Sequence, residues 1–216
     1  MERIAVLASG GLDSSILLAD LAGAAEVFPI YIRKGLLWEE EELRSLNTFI
    51  EALHSPNVHG ATELYVPVEG LYGEHWSLTG EGTPGADTAD DAVFLPGRNV
   101  LLVSLAAIWC STHGVSQIAL GSLGGNPFPD ATPEFFSNLA GVLSVALGRR
   151  INVTAPYREA QKYALIRDFK HLPLHLTLTC ISPRDGLHCG ACNKCNERRM
   201  AFKQAEIEDS TSYADI

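Results

Sequence analysis

Ser9-Gly-Gly-Leu-Asp-Ser-Ser15 follows directly on the apolar run Ile4 to Leu7 and leads into a second apolar stretch. A strand, a glycine pair and a helix in that order admit few folds, because the glycines must turn the chain through a tight junction. Gly10 and Gly11 carry no side chain, so their backbone N–H groups can approach phosphate oxygens closely. Ser9, Ser14 and Ser15 add hydroxyl donors around Leu12, and the following helix directs its positive end at the same point. The loop from Ser9 to Ser15 is therefore read as holding the pyrophosphate part of ATP while the α-phosphate is attacked. A tight turn with a helix cap would use the same residue types. Asp13 is unsuited to contact phosphate alone, which leaves it to hold magnesium or to fix the loop. The pattern is neither G-x-x-x-x-G-K-S/T nor G-x-G-x-x-G, which argues against a γ-phosphate-handling P-loop and against a dinucleotide fold.

Strand-like and helix-like segments alternate through the first half: Ile4 to Leu7, Ser14 to Leu21, Val27 to Ile32, Glu39 to Leu53. This order predicts an α/β fold with a parallel sheet and flanking helices. The acidic run Glu39 to Glu42 favours a helix start and is read as capping and solvated charge rather than metal ligands. An extended segment is predicted over Glu63 to Val68. The Gly- and Asp-rich stretch Gly70 to Pro96 lacks clear periodicity and is either a substrate-facing lid or an ordered surface excursion, with Tyr72, His75 and Trp76 favouring some packing. A buried helix follows at Asn99 to Thr112, too short to span a bilayer, then a strand at Gln117 to Leu120. The loop Gly121 to Pro133 lies at a strand end, where open α/β sheets collect binding residues. A helix over Glu134 to Leu147, a strand over Ile151 to Thr154 and helices over Glu159 to Phe169 and Glu197 to Ala205 complete the pattern. The tail beyond Glu206 has few apolar anchors and is expected to be loosely held.

With 216 residues, 46% of them apolar, the chain can build one substantial core with a small appended element. Its net charge of -10 argues against an extended nucleic-acid surface. Local basic patches at Arg33 and Lys34, or at Arg198, Arg199 and Lys203, stay open. The first residues enter a strand pattern without the longer apolar region of a secretory signal, so a cytoplasmic protein without membrane contact is expected.

Cys180, Cys189, Cys192 and Cys195 form C-x8-C-x2-C-x2-C. Short turns at the x2 spacings let thiolates converge on one ion, so a tetrahedral zinc site is expected, with a structural role because four cysteines leave no position for an activated water. An iron-sulfur centre uses the same donors and is the second reading. Disulfides suit a cytoplasmic chain less well. His188 is read as a surface residue or a support to the ligands, and Cys110 as core. The metal clip should hold the loop Thr177 to Pro183 against the nucleotide-bearing sheet.

The Ser-Gly-Gly-Leu-Asp-Ser loop, Pro96-Gly-Arg-Asn99, Asn126-Pro-Phe-Pro-Asp130 with Thr132-Pro-Glu-Phe135, and the cysteine cluster together resemble the 7-cyano-7-deazaguanine synthase family of the adenine nucleotide α-hydrolase group. Arg199 through Tyr213, ending in Asp-Ser-Thr-Ser-Tyr, resembles that family's C-terminal pattern. The resemblance implies a Rossmann-like ATP-pyrophosphatase fold over residues 1–175, a zinc-binding C-terminal extension over 176–216, and a homodimer. It implies conversion of 7-carboxy-7-deazaguanine and ammonia to the 7-cyano base with ATP and Mg2+, through an acyl-adenylate and an amide, in queuosine or related deazapurine biosynthesis. By position, Ser9, Gly10, Gly11, Asp13 and Ser14 carry over as the pyrophosphate loop and Gly97, Arg98 and Asn99 as a second nucleotide-side motif. Asp130 carries over in the substrate loop and the four cysteines as Zn2+ ligands.

Roles follow for particular side chains. Arg98 is expected to neutralise the α-phosphate or the substrate carboxylate, against a plain surface salt bridge. Lys162 is expected to stabilise departing pyrophosphate, against a solvent-facing helix lysine. Asn126 and Phe128 belong to the substrate loop; Phe128 and Phe135 either stack on the base or pack in the core. Asp130 either accepts from a guanine-like edge or caps the turn before Thr132. Two segments depart from the family pattern: Tyr31-Ile-Arg-Lys-Gly-Leu-Leu-Trp38 replaces a Gly-Gln-containing stretch leading to His and Glu, and Asn126-Pro-Phe-Pro-Asp130 replaces a Tyr-Pro-Asp-Cys-Arg pattern. They bear on which carboxylated substrate is used and whether reaction passes the amide. Other readings are an ATP-dependent amide-forming ligase on a related acid, an RNA sulfurtransferase, or a non-catalytic zinc-stabilised nucleotide-binding protein.

Overall fold

The structure is a computed structural model that describes residues 1–214. In chain order it runs β1 (Glu2–Leu7), α1 (Leu12–Leu21), β2 (Ala25–Arg33), α2 (Glu39–Leu53), β3 (Thr62–Tyr65), α3 (Glu69–Tyr72), α4 (Trp76–Thr79), α5 (Arg98–His113), β4 (Gln117–Leu120), α6 (Pro133–Ala146), β5 (Asn152–Thr154), α7 (Lys162–Asp168) and α8 (Asn193–Ala205). The strands form one parallel sheet ordered β3-β2-β1-β4-β5. The α/β fold with flanking helices is thus the one the alternation predicts.

Strand side chains alternate between two apolar layers, as a sheet covered on both faces requires. Val6, Val27 and Ala119 point to one layer, filled by α1, α2, α7 and α8 through Leu17, Leu46, Ile166 and Phe202. Ala5, Leu7, Ile30 and Ile118 point to the other, filled by α5 and α6 through Val103, Ala106 and Phe136. Cys110 is fully buried in that second layer. From β1 the chain builds outward through β2 to β3 on one side and then returns to build β4 and β5 on the other, so the order switches between β1 and β4 and a crevice opens at their carboxyl ends. The glycine loop lies there.

Four segments differ from the sequence reading, the C-terminal helix among them: it begins at Asn193, with Cys192 as its N-cap, rather than at Glu197. β3 stops at Tyr65 rather than Val68; Pro67 has no N–H for the ladder, and the chain continues only through Val66 N to Arg33 O and Val68 N to Lys34 O. The helix predicted from Glu159 begins at Lys162, after turns closed by Arg158 N to Ala155 O and Ala160 N to Tyr157 O. The tail beyond Glu206 is anchored: Tyr213 donates to Asp209 Oδ2 at 2.7 Å, Ala214 N donates to His188 O at 2.8 Å, and the Arg199 guanidinium lies 4.1 Å from the centre of the Tyr213 ring. Polar contacts hold it where apolar anchors are few. Among the described residues no helix is long and apolar enough to cross a membrane.

Candidate active site and metal centre

The two loop glycines do different things. Gly10 adopts φ +71°, and a Cβ there would lie 2.4 Å from Glu42 O and 3.0 Å from Leu46 N, so the room it leaves is taken by α2. Its carbonyl accepts from Leu178 N at 2.8 Å, which fixes the 177–183 loop against the glycine loop as expected. Gly11, at φ -73° and ψ 162°, is the N-cap of α1 and provides no side-chain cap. A Cβ there would meet Ser9 Oγ at 3.1 Å and Leu178 O at 3.5 Å. The first-turn amides of Leu12, Asp13 and Ser14 have no partner within the helix. Ser14 Oγ accepts from Ser9 N at 3.2 Å and donates to Gly11 O at 3.2 Å, closing the loop on itself. Ser15 is fully buried behind the loop and does not face the cleft. Gly121, unnoticed as a site residue in the sequence, lets the end of β4 abut α1: a Cβ would sit 3.0 Å from Ser14 N.

A cleft of about 270 Å³ opens over this loop and adjoins a second compartment of about 350 Å³. On one side Lys162 Nζ lies 3.1 Å from Asp13 Oδ2 and pairs with Glu197, which also pairs with Lys194 at 2.6 Å. The Lys162 side chain is only 14% exposed, so it is a cleft residue and not a solvated helix lysine. Burial opposes its charge, but Asp13 and Glu197 raise its pKa. Burial likewise works against ionising Glu197, yet Lys162 and Lys194 pull its carboxyl down to about 2. Asp13 is pushed up by burial against the pull of Lys162, and its Oδ1 is buried without a partner. That open oxygen fits a magnesium ligand.

The cleft lining also carries Arg98, Asn99, Tyr31, Lys34 and Glu42. Arg98 is the first residue of α5, and its Nε is buried without a partner. Gly97 precedes it at φ +74°, a conformation suited to glycine. Asp130 accepts from Asn99 N at 3.0 Å, and Asn99 Nδ2 donates to Asp130 O at 2.9 Å. Asp130 therefore caps α5 and lines neither compartment, where the sequence offered a base contact or a cap before Thr132. Asn126 lines both compartments and Phe128 the second, its ring 4.9 Å from that of Phe94. Phe135 packs edge-on against Phe136 in the core layer.

The acidic run is only half solvated, contrary to expectation. Glu39 and Glu42 are 5% and 8% exposed; Glu39 accepts from Lys34 N and Gly35 N, and Glu42 Oε2 accepts from Tyr31 Oη at 3.0 Å. Neither suggested basic patch forms. Arg33 pairs with Glu40 and Glu63, Lys34 is buried, and Arg198 is fully buried with donors to Thr177, Leu174, Thr211 and Asp209.

All four cysteines of the cluster are buried, their Sγ atoms within 4.8 Å of one another. The Cys180–Cys192 and Cys189–Cys195 separations are 3.9 Å. A tetrahedron with Zn–S bonds of 2.3 Å has edges of about 3.8 Å, whereas a disulfide needs about 2.05 Å, so the donors fit zinc and not cross-links. Amides of Ser182 and Cys189 point at Cys180 Sγ at 3.3 Å, as suits a thiolate. His188 stands apart from the donor set: it is 3% exposed, not superficial, and its Nε2 accepts from Thr179 N at 3.0 Å. Part of the long Gly70–Pro96 stretch straps the knuckle through Asn193 N to Pro84 O, Ala86 N to Ala191 O and Asn193 Nδ2 to Thr88 O, all 2.8–3.0 Å. It continues to Asp90, Val93 and Leu95 in the second compartment.

Lys34, Glu42, Ser122, Lys194 and Glu197 also line the cleft and went unassigned in the sequence. A signal existed for Glu42: with Glu39, Leu43 and Leu46 it shares the buried face of α2 at helical spacing.

Residues 3–206 match the family model for queuosine biosynthesis protein QueC. The 7-cyano-7-deazaguanine synthase of Methanothrix thermoacetophila is 30% identical over 231 residues, covering 99% of each chain. That of Syntrophotalea carbinolica is 29% identical, covering 99% of this chain and 97% of the relative. A solved structure described as a predicted subunit of tRNA methyltransferase from Methanocaldococcus jannaschii superposes with a TM-score of 0.51 at 14% identity, over 79% of this chain and 75% of that one, a likeness of fold.

Proposed function

The chain belongs to the QueC family, and from that premise we propose that it converts 7-carboxy-7-deazaguanine and ammonia to the 7-cyano base at the expense of ATP, through an adenylated carboxylate and an amide. The observation that carries this reading is the uncapped start of α1 at Gly11, open to a cleft lined by Lys34, Arg98, Lys162 and Lys194. An amide-lined helix start is matched to pyrophosphate, and a carboxylate oxygen becomes a leaving group only once it carries AMP, pyrophosphate having been expelled from ATP by its attack.

Ser9, Gly11, Leu12, Asp13 and Ser14 hold the β- and γ-phosphates through backbone N–H and hydroxyl groups, with Gly10 and Ser15 fixing the loop from behind. Asp13 would hold magnesium, which when bound neutralises phosphate charge. Lys162 moves from Asp13 and Glu197 toward pyrophosphate as it departs. Arg98 faces the place where the acid's carboxylate meets the α-phosphorus, set there by Gly97 and by the Asp130–Asn99 cap, so Asp130 acts by positioning. Asn126 and Phe128 border the compartment that receives the base. Holding acid and ATP side by side makes attack on phosphorus effectively intramolecular. The amide oxygen is activated in the same pocket for the second, dehydrating step.

Zinc at Cys180, Cys189, Cys192 and Cys195 is structural, within an extension taken from residue 176. Sulfur transfer is disfavoured because it needs an accessible cysteine, and all five are buried. Thiolates committed to zinc suit a reducing, cytoplasmic setting. The exposed Val142 and Val145 of α6 offer a face for a second copy. Incubation of the zinc-loaded protein with ATP, magnesium, ammonia and 7-carboxy-7-deazaguanine is expected to yield AMP, pyrophosphate and the nitrile by mass spectrometry. Accumulated amide would select the shorter ligase reaction, and ADP with phosphate would contradict adenylation.

A further inference from the structure

A second buried group of charges lines the same cleft as the phosphate loop. Lys34 is 5% exposed; its Nζ donates to Ile32 O at 2.7 Å and lies 3.6 Å from Glu39 Oε1. Both nearby carboxylates are already engaged: Glu39 accepts from the backbone N–H groups of Lys34 and Gly35, and Glu42 accepts from Tyr31. Arg98 adds a second cation whose Nε is buried and unpartnered. Burial, and then the charge of Arg98, pushes Lys34 below the usual lysine range, while burial raises Glu42 against the pull of Lys34 and Arg98. The cluster thus sets two cations with two carboxylates, Glu39 beside Lys34 and Glu42, which is disposed to take up a proton. An arriving anion would relieve their repulsion and give Arg98 Nε its missing acceptor.

The phosphate end has its own cations in Lys162 and Lys194, which pair with Asp13 and Glu197. Resting on the function proposed above, we infer that Lys34 and Arg98 form the seat for the carboxylate of the acid substrate, with Lys34 serving the charged acid and not the neutral amide that follows it. The seat holds the carboxylate ionised, as attack on the α-phosphorus requires.

The test compares wild-type and Lys34→Met proteins in two separate reactions, one started with 7-carboxy-7-deazaguanine and one with its 7-carboxamide. The variant is expected to raise KM for the acid by about tenfold to a hundredfold, the equivalent of a lost charge-assisted hydrogen bond. KM for ATP and the amide-to-nitrile step should stay within about twofold. Equal losses on both substrates would assign Lys34 a merely structural role, and a rise in KM for ATP would place nucleotide phosphate on the seat; either overturns the inference, as does an unchanged KM for the acid. Wild-type protein that turns over neither substrate would bring down the proposed function itself, and the inference with it. If Lys34→Met does not fold, Lys34→Gln, which keeps a donor for Ile32 O, takes the same test.

Discussion

Gly10 and Gly11 are adjacent and identical, yet one serves packing and the other serves the cleft. Gly10→Ala combines φ +71° with a Cβ 2.4 Å from a backbone oxygen of α2. Urea unfolding should show a loss of about 2–5 kcal/mol. Gly11→Ala is sterically milder and should cost less than about 1 kcal/mol of stability, while weakening ATP binding about tenfold or more in calorimetry. Equal effects of the two on stability would contradict the division. The sequence made the loop legible because a strand, two glycines and a helix carry their own local logic. It did not separate the glycines, since Gly10 is dictated by α2, which only the fold brings alongside. Asp130 was misjudged for the same reason: its partner Asn99 lies 31 residues away.

Among the elements, the strands and longer helices were readable from periodicity, and their bounds shifted mainly where Pro67 or a turn before Lys162 interrupted a pattern. The Gly70–Pro96 stretch was not, because its order comes from bonds such as Asn193 Nδ2 to Thr88 O, 105 residues apart. Since the strap rests on the cysteine knuckle, removing zinc with a chelator should accelerate amide hydrogen exchange over residues 84–88 along with 180–195, and leave α6 protected. Unchanged exchange in the strap would separate it from the metal centre. The tail provides another element held by polar contacts. Burial works against the Asp209 carboxylate, but the Arg198 charge and hydrogen bonds from Thr211, Tyr213 and Arg198 hold its pKa below the usual range. Its stabilising contribution is therefore complete above about pH 4 and is lost as pH falls through the depressed folded pKa. Asp209→Asn leaves fully buried Arg198 without its carboxylate and should cost about 3 kcal/mol at pH 7. The gap between variant and wild type, followed by denaturation, should narrow as the medium is acidified; a constant gap would contradict the ion pair.

The whole molecule joins two recognisable parts, a sheet whose crevice faces an open helix start and a metal knuckle that braces the crevice from the C-terminal side. Leu178 on Gly10, Lys162 on Glu197 and Arg198 on Leu174 cross between them, so the site is built from both ends of the chain. The motifs were visible in the sequence as separate islands; the ionic bridges joining them were not, because Lys194 and Glu197 look like ordinary charges on a helix until α8 packs against α7. The central claim is that an acid oxygen is carried off on AMP. Supplying 7-carboxy-7-deazaguanine labelled with 18O in its carboxylate, and weighing the nucleotide product, tests it directly. Adenylation of the acid predicts AMP that carries one labelled oxygen from it, with unlabelled pyrophosphate; unlabelled AMP, or label in phosphate released beside ADP, would contradict that step.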